Sequence, residues 1–273
     1  MSVVLSWNAG LCYASASQAR SRLSVLDRLL GAYSPTLVAL QEGSADAVRM
    51  LVANGYDSES LGNAELIAAW RMSAWLRDGA SVACGTDAVG VPLSSSSASR
   101  KISLWSVHLV SRLRTQEFTI GDRAQRLANF INNHRAQNLS WASRDEVIAG
   151  DFNLQPFRDE LWRSSGFGAN RSLAWLRRNR RGSSLDAERF NPCWSILGRD
   201  TPPLGTIYRT SEADRPWYVF DQVIISPSLA GPPPHVELIT AVGGLELCGN
   251  APARRPNVGI GSDHLPIAVR VQV

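Results

Sequence analysis

The sequence predicts one α/β domain in which two packed β-sheets carry helices on their outer faces. Three observations predict it. Short apolar runs alternate with helical periodicity in the first half, and β-like runs dominate the second. No internal repeat and no Pro-, Gly- or Ser-rich linker divides the 273 residues. The composition is 44% hydrophobic and 19% charged, a balance that excludes disordered and coiled-coil chains. A chain of this length also buries most of its apolar surface without disulfides or metal staples.

The elements follow in order. Residues 3–7 form a short apolar run that ends at Asn8, as a buried strand does. Residues 18–33 place Leu23, Leu26, Leu29, Leu30 and Tyr33 at helical spacing, and Pro35 stops that helix. Residues 37–40 are a second strand, running into Gln41 and Glu42. Residues 44–54 form a short helix with Val48, Leu51 and Val52 inward and Gly55 as its stop. Residues 65–71 and 72–77 are expected as a pair of strands, and the serine tract 94–99 as a surface loop. A strand over 102–108 precedes a helix over 122–137. A strand over 146–149 then runs into Gly150-Asp151-Phe152-Asn153. A long irregular region follows to about residue 217. Strands at 218–225, 236–242 and 265–273 complete the chain, with a loop at 252–261.

The net charge is +4 and the pI is about 9.1. Lys101 is the only lysine, which leaves 27 arginines. Arginine clamps phosphate oxygens bidentately, so a phosphate-bearing partner fits; a GC-rich genome produces the same bias. Cys12, Cys84, Cys193 and Cys248 match no zinc spacing and are expected as free thiols. No run approaches the roughly 18 apolar residues of a membrane span. The start MSVVLSWNAG lacks a basic leader with an apolar stretch. A cytoplasmic protein is therefore expected.

Polar residues cluster where apolar strands end. Asn8, Glu42, His108, Asp151 with Asn153, Asp221, and Asp263 with His264 all terminate or follow β-like runs. One such residue is an ordinary turn former. Six such places together point to a site at one rim of the sheets. Carboxylate and amide oxygens suit a hard cation, Mg²⁺ or Mn²⁺. Histidine supplies proton transfer or charge stabilisation. Neither a GxSxG nucleophile, a P-loop nor a GxGxxG turn is present. Metal-assisted attack of water on a phosphate ester is the chemistry that remains.

The fragments SWNAG, ALQEG, SVHL, AGDFNLQP, FDQVIIS and GSDHLPI, in this order from residue 5 to 268, resemble the endonuclease/exonuclease/phosphatase superfamily, which includes deoxyribonuclease-I-like enzymes. The resemblance implies a four-layer α/β sandwich of two mixed sheets, one domain over residues 1–273, with the site at one edge of both sheets. It implies roles by position. Glu42 would be the principal metal ligand, with Asn8 beside it and Asp263 near the metal. Asp151 would orient or deprotonate water, and Asn153 would hold a phosphate oxygen. His264 would contact the scissile phosphate, and Asp221 would orient His264. His108 matches the extra histidine of the deoxyribonuclease and sphingomyelinase branches, where abasic-site endonucleases usually have tyrosine. Glu65 is a weaker match for an acid that orients His108. His134 and His235 are expected outside the site.

The expected reaction is hydrolysis of phosphodiesters in DNA or RNA. The alternative is a phosphatase or phosphodiesterase on a small-molecule, inositol-phosphate or lipid substrate; a binding protein with a silent site is a third class. Arg171, Arg177, Arg178, Arg180 and Arg181 form a basic, aromatic-punctuated segment after GDFN, suited to a polyanionic backbone. Arg177, Arg178, Arg180, Arg181 and Trp217 are the expected substrate-binding residues. Arg209, Arg215 and Tyr218 stand near Trp217 in the sequence, in an expected rim loop.

Overall fold

The computed structural model describes residues 2–109, 117–179, 188–210 and 216–272. In chain order, β1 (Ser2–Asn8) leads through α1 (Ala16–Tyr33) to β2 (Leu37–Gln41), then α2 (Ala45–Ala53), β3 (Tyr56–Leu61) and β4 (Leu66–Arg71). Next come β5 (Trp75–Arg77), β6 (Val82–Cys84), β7 (Ala88–Ser95) and β8 (Lys101–His108). Then follow α3 (Glu117–Gln137), α4 (Leu139–Ala142), β9 (Asp145–Asp151), α5 (Asp159–Trp162), β10 (Ala169–Asn170), α6 (Leu173–Asn179) and β11 (Arg189–Phe190). The strands β12 (Ile207–Tyr208) and β13 (Trp217–Tyr218) form a small ribbon. The chain continues through β14 (Asp221–Ile225), β15 (Ala230–Leu238), β16 (Ala241–Val242), β17 (Leu245–Glu246) and β18 (Ile267–Val271).

The first large sheet has the order β15-β18-β1-β2-β4-β3, and the second β10-β11-β14-β9-β8-β7-β5, with β6 also on β7. Both sheets are mixed: β1 runs parallel to β2, and β8 parallel to β9.

The alternation of side chains builds the layers. Leu104, Val147 and Ile225 stand in register on the second sheet and join one core with Val4, Leu40 and Ala68 of the first. One residue along, Trp105, Ile148 and Ile224 point the other way, into a second core with Leu127 and Ile131 of α3 and Trp141 of α4. Val25, Leu26 and Leu29 of α1 and Ala47 and Leu51 of α2 are buried in the first core as well. The order of layers is helix, sheet, sheet, helix, as the resemblance implies.

The same parity positions the rim. On the inner face of the second sheet, Leu104–Val147–Ile225 is followed by Ser106–Ala149–Val223 and then by His108–Asp151–Asp221. The third row therefore emerges at the end of the core. A slip of one residue would turn all three outward. Asn8 and Gln41 pair at the facing end of the first sheet, and Gln41 donates to Ser106 across the gap.

Several expectations need correction. The strands at 65–71 and 72–77 do not pair. β4 pairs with β2 and β3, whereas β5 belongs to the other sheet against β7. The intervening turn carries the chain between sheets. Ser94 and Ser95 finish β7 rather than open a loop. α3 begins earlier than expected, at Glu117, and α1 begins at Ala16, where Ser15 and Gln18 form a reciprocal capping box. Among the described residues, no helix is long and apolar enough to cross a membrane.

Candidate active site

His108 and Asp151 of that row meet Asn8, Glu42 and His264 in a cleft of about 580 Å³, and Asp221 lies buried behind His264. Each side chain is held by the strand or turn that carries it. Gly150 lets β9 lie against β8 directly before Asp151: its φ is 149°, and a Cβ there would sit 1.9 Å from the Val107 carbonyl oxygen. Asn153 Nδ2 donates to Leu109 O at 2.8 Å, and Asn153 N donates to Asp151 Oδ1 at 2.8 Å. The GDFN turn thus fixes its own aspartate.

Glu42 follows β2 with φ at 49°, a left-handed conformation that costs an L-residue roughly 1–2 kcal/mol. Its carbonyl accepts from Leu11 N at 2.6 Å and Cys12 N at 3.2 Å, and Gly43 N donates to Glu65 O. The surrounding turn overrides the local preference and presents the carboxylate to the cleft. Asn8 Nδ2 donates to Asp151 Oδ2 at 3.1 Å and reaches Glu42 Oε1 at 3.4 Å, so the two acids from opposite sheets share one amide. His108 Nε2 lies 3.7 Å from Glu42 and 3.9 Å from Asp151.

His264 is buried. Its Nδ1 lies 2.8 Å from Asp221 Oδ2, and its Nε2 lies 3.8 Å from Asp151 Oδ2. Burial presses its pKa down, but the charges of Asp221 and Asp151 override this and push it up to about 10. The imidazole therefore carries the proton near neutrality. Asp221 is fixed in turn: its backbone N and that of Phe220 both donate to Thr206 Oγ1 at 3.1 Å. Trp7 Nε1 holds the His264 carbonyl at 3.1 Å.

Two groupings here can hold a cation. Asp151, Asp221 and His264 each bring one ligand atom within 4.8 Å of the others. Glu42 and Asp151, bridged by Asn8, offer the harder, all-oxygen set. Because Nδ1 of His264 is engaged by Asp221, the oxygen set fits a hard divalent ion better.

Asn8, Glu42, His108, Asp151, Asn153, Asp221 and His264 thus converge. Asp263 also lines the cleft, and it accepts from Ser262 Oγ at 3.1 Å. The structure does not bring the expected arginines here. Arg177 Nη2 donates to Ala230 O at 2.9 Å, beyond Ile225 and at the end of β14 opposite Asp221. Arg178 lines a different hollow. The physical reason is that α6 packs by Leu173 and Leu176 beside β11, at that far end. Arg180, Arg181 and Arg215 lie outside the described residues. Trp217 does not line the cleft but lies edge-on to Tyr208 at 5.1 Å; among the described residues, the aromatics that line it are Tyr208 and Tyr13. His134 packs among Phe130 and Trp141 under α3, outside the site as expected.

Arg209, expected in a rim loop, lines the cleft, with Nη2 3.5 Å from Asn153 Oδ1. Sequence reasoning missed two other arginines. Arg123 lies at the mouth, in a two-pronged ion pair with Asp87. Arg22 of α1 is buried and bridges Gly10 O to Gly261 O, tying the turn after Asn8 to the turn before His264. Among so many arginines, nothing local marks Arg123 and Arg22. Only the tertiary neighbours distinguish them.

A family model described as the Endonuclease/Exonuclease/phosphatase family matches residues 5–264. Solved structures with a similar fold include TDP2 of D. rerio complexed with a single-strand DNA product (20% identity, 100% of this chain and 99% of that chain, TM-score 0.60). Another is the human Nocturnin catalytic domain with a bound sulfate anion (15% identity, 99% and 94%, TM-score 0.61). A third is an endonuclease/exonuclease/phosphatase from Bacteroides vulgatus (13% identity, 100% and 98%, TM-score 0.63). No curated protein matches the chain in sequence. The rim of acids and histidines and the helix-sheet-sheet-helix layering agree with the family match: the chain belongs to the endonuclease/exonuclease/phosphatase family of phosphoester hydrolases.

Proposed function

We propose that the chain is one domain that hydrolyses phosphodiester bonds of nucleic acid with a divalent cation, Mg²⁺ or Mn²⁺. The observation that carries the reading is the meeting of an acid pair, Glu42 and Asp151, with a buried histidine held protonated by Asp221. Water needs an acceptor as it attacks phosphorus, and Asp151 Oδ2 faces the cleft for that proton. His264 Nε2, on the other side of Asp151, donates to a phosphate oxygen and offsets the charge that builds there. Asn153 uses one amide hydrogen on Leu109, which leaves the second for another phosphate oxygen. Glu42, with Asn8 and Asp151, would hold the cation, which when bound supplies Lewis-acid stabilisation of phosphate charge. Asp263 would tune that end of the cleft, and His108 lies within 4 Å of both acids, where it can hydrogen-bond to the substrate.

Two features favour a polymeric substrate. The cleft is bordered by Arg123, Arg209 and the ring of Tyr208, which suit phosphates and a base. A protein of similar fold was solved with a single-strand DNA product. The test is a substrate panel with Mg²⁺ or Mn²⁺: plasmid, single-stranded DNA, RNA, sphingomyelin and inositol phosphates. Cleavage of a nucleic acid, strongly suppressed by added salt, is expected. Turnover of a small phosphoester with every nucleic acid left intact would overturn the nucleic-acid reading.

A further inference from the structure

A second hollow, of about 780 Å³, lies at the outer edge of the second sheet beside β10 and shares no residue with the cleft. Two tryptophans line it, and both face water: Trp162 is 44% exposed and Trp175 is 39% exposed. In α6, Leu173 and Leu176 point inward, which turns Trp175 outward, and Arg178, one helical turn on, shares its face. Arg163 and Arg171 also line the hollow. Arg163 stacks over Trp162 at 5.8 Å, and Arg171 lies over Trp194 at 5.7 Å. Among the described residues, the lining sets one acid, Glu188, against these three arginines; Asp159 pairs with Arg163 from outside it.

A core explanation does not account for Trp162 and Trp175, because each keeps a large part of its surface in water. A merely solvated basic face would need no indoles. Flat apolar faces interleaved with guanidinium groups match a ligand with flat bases and a phosphate backbone. A duplex hides its base faces, so the chemistry selects a single strand.

We propose that this hollow is an exosite for single-stranded nucleic acid, in which bases stack on Trp162 and Trp175 and phosphates meet Arg163, Arg171 and Arg178. The inference rests on the nucleic-acid reading of the cleft and deepens it. The exosite would hold a strand while the distant cleft cuts it, raising the local concentration of scissile bonds. It also gives Arg171 and Arg178 of the segment after GDFN a place of action outside the cleft.

The test uses the full chain and a fluorescein-labelled fifteen-residue oligo(dT), with anisotropy read in EDTA so that the strand stays whole. Turnover of a small phosphodiester, bis(p-nitrophenyl) phosphate, is followed in parallel. The double variant Trp162→Ala/Trp175→Ala is expected to weaken binding at least about tenfold and leave small-substrate turnover unchanged. Trp162→Phe/Trp175→Phe, which keeps flat rings, is expected to restore binding to within about threefold. Arg163→Ser is expected to lower the salt slope of binding by roughly one phosphate contact. If the wild type cuts the oligonucleotide while the double Ala variant binds and cuts equally well, the exosite is wrong and the cleft reading stands. If the wild type turns over the small ester but neither binds nor cuts the oligonucleotide, the nucleic-acid reading falls and the exosite falls with it.

Discussion

Two buried polar clusters lie on the second sheet, and they differ in how completely their charges are met. At one end of β9, Glu146 Oε2 accepts from Arg189 Nε at 2.9 Å and from Arg135 Nη1 at 3.2 Å. Arg189 also donates to Phe167 O at 2.8 Å and Asn132 Oδ1 at 2.9 Å, and Glu146 N donates to Ser226 Oγ at 2.8 Å. At the other end, Asp151, Asp221 and Glu42 crowd around His264 and His108. Asp221 is fully buried, and its counter-charge is His264. One strand thus carries a saturated cluster that holds the fold and an acid-rich one that is short of positive charge. A largely buried acid surplus costs stability; under the proposed function a cation and a phosphate would complete it.

Two substitutions invert one another and give the largest effects. Asp151→Ala is expected to lower phosphodiester turnover by about a thousandfold or more. Its urea midpoint should match or exceed that of the wild type, because a like charge beside Asp221 is gone. Arg189→Met is expected to cost about 3–5 kcal/mol of unfolding free energy, since Glu146 loses its closest cation while buried. The part that remains folded should turn over normally. Equal stability losses in the two variants would erase the distinction.

A smaller effect comes from pH. The His264 pKa rises from 6.5 to about 10 on folding. A raised folded pKa makes its contribution complete below about pH 6.5 and lost as pH climbs through about 10. In metal-free protein, stability should therefore decline across that window, and Asp221→Asn should flatten the decline. Thermal melts in EDTA from pH 6 to pH 10 measure it; parallel curves for the two proteins would contradict the pairing.

The rim was legible because polar types recur where apolar runs stop. Asn8, His108, Asp151 and Asp221 end or begin their strands, so the residue order carries their position. The layering was legible for a similar reason in β1, β2, β8, β9 and β14, each of which carries a short, mainly apolar stretch. β7 was hidden by Pro92, a residue that argues against an inner strand. In the structure β5 pairs with residues 93–95 and β6 with residues 88–90, so Pro92 falls between the two partners. Its carbonyl points to that side, toward Asp78 N, and so does the nitrogen that lacks a hydrogen. β3 was missed because its edge position leaves Asp57, Ser58, Glu59 and Ser60 in place of an apolar alternation. Arg177 and Arg178 illustrate the opposite error. Proximity in sequence to GDFN suggested the cleft, but α5 and β10 intervene and carry α6 to the far end.

The central claim is that the acid surplus at Glu42 and Asp151 is a cation site that drives phosphodiester hydrolysis. The most direct measurement is an Mn²⁺ titration of metal-stripped protein, read as turnover of whichever phosphodiester the panel shows cleaved. The wild type should be inactive until the ion is added, and Glu42→Gln should raise the half-saturating Mn²⁺ concentration at least about tenfold. Full turnover without added metal, or a Glu42→Gln curve that overlays the wild type, would contradict the account.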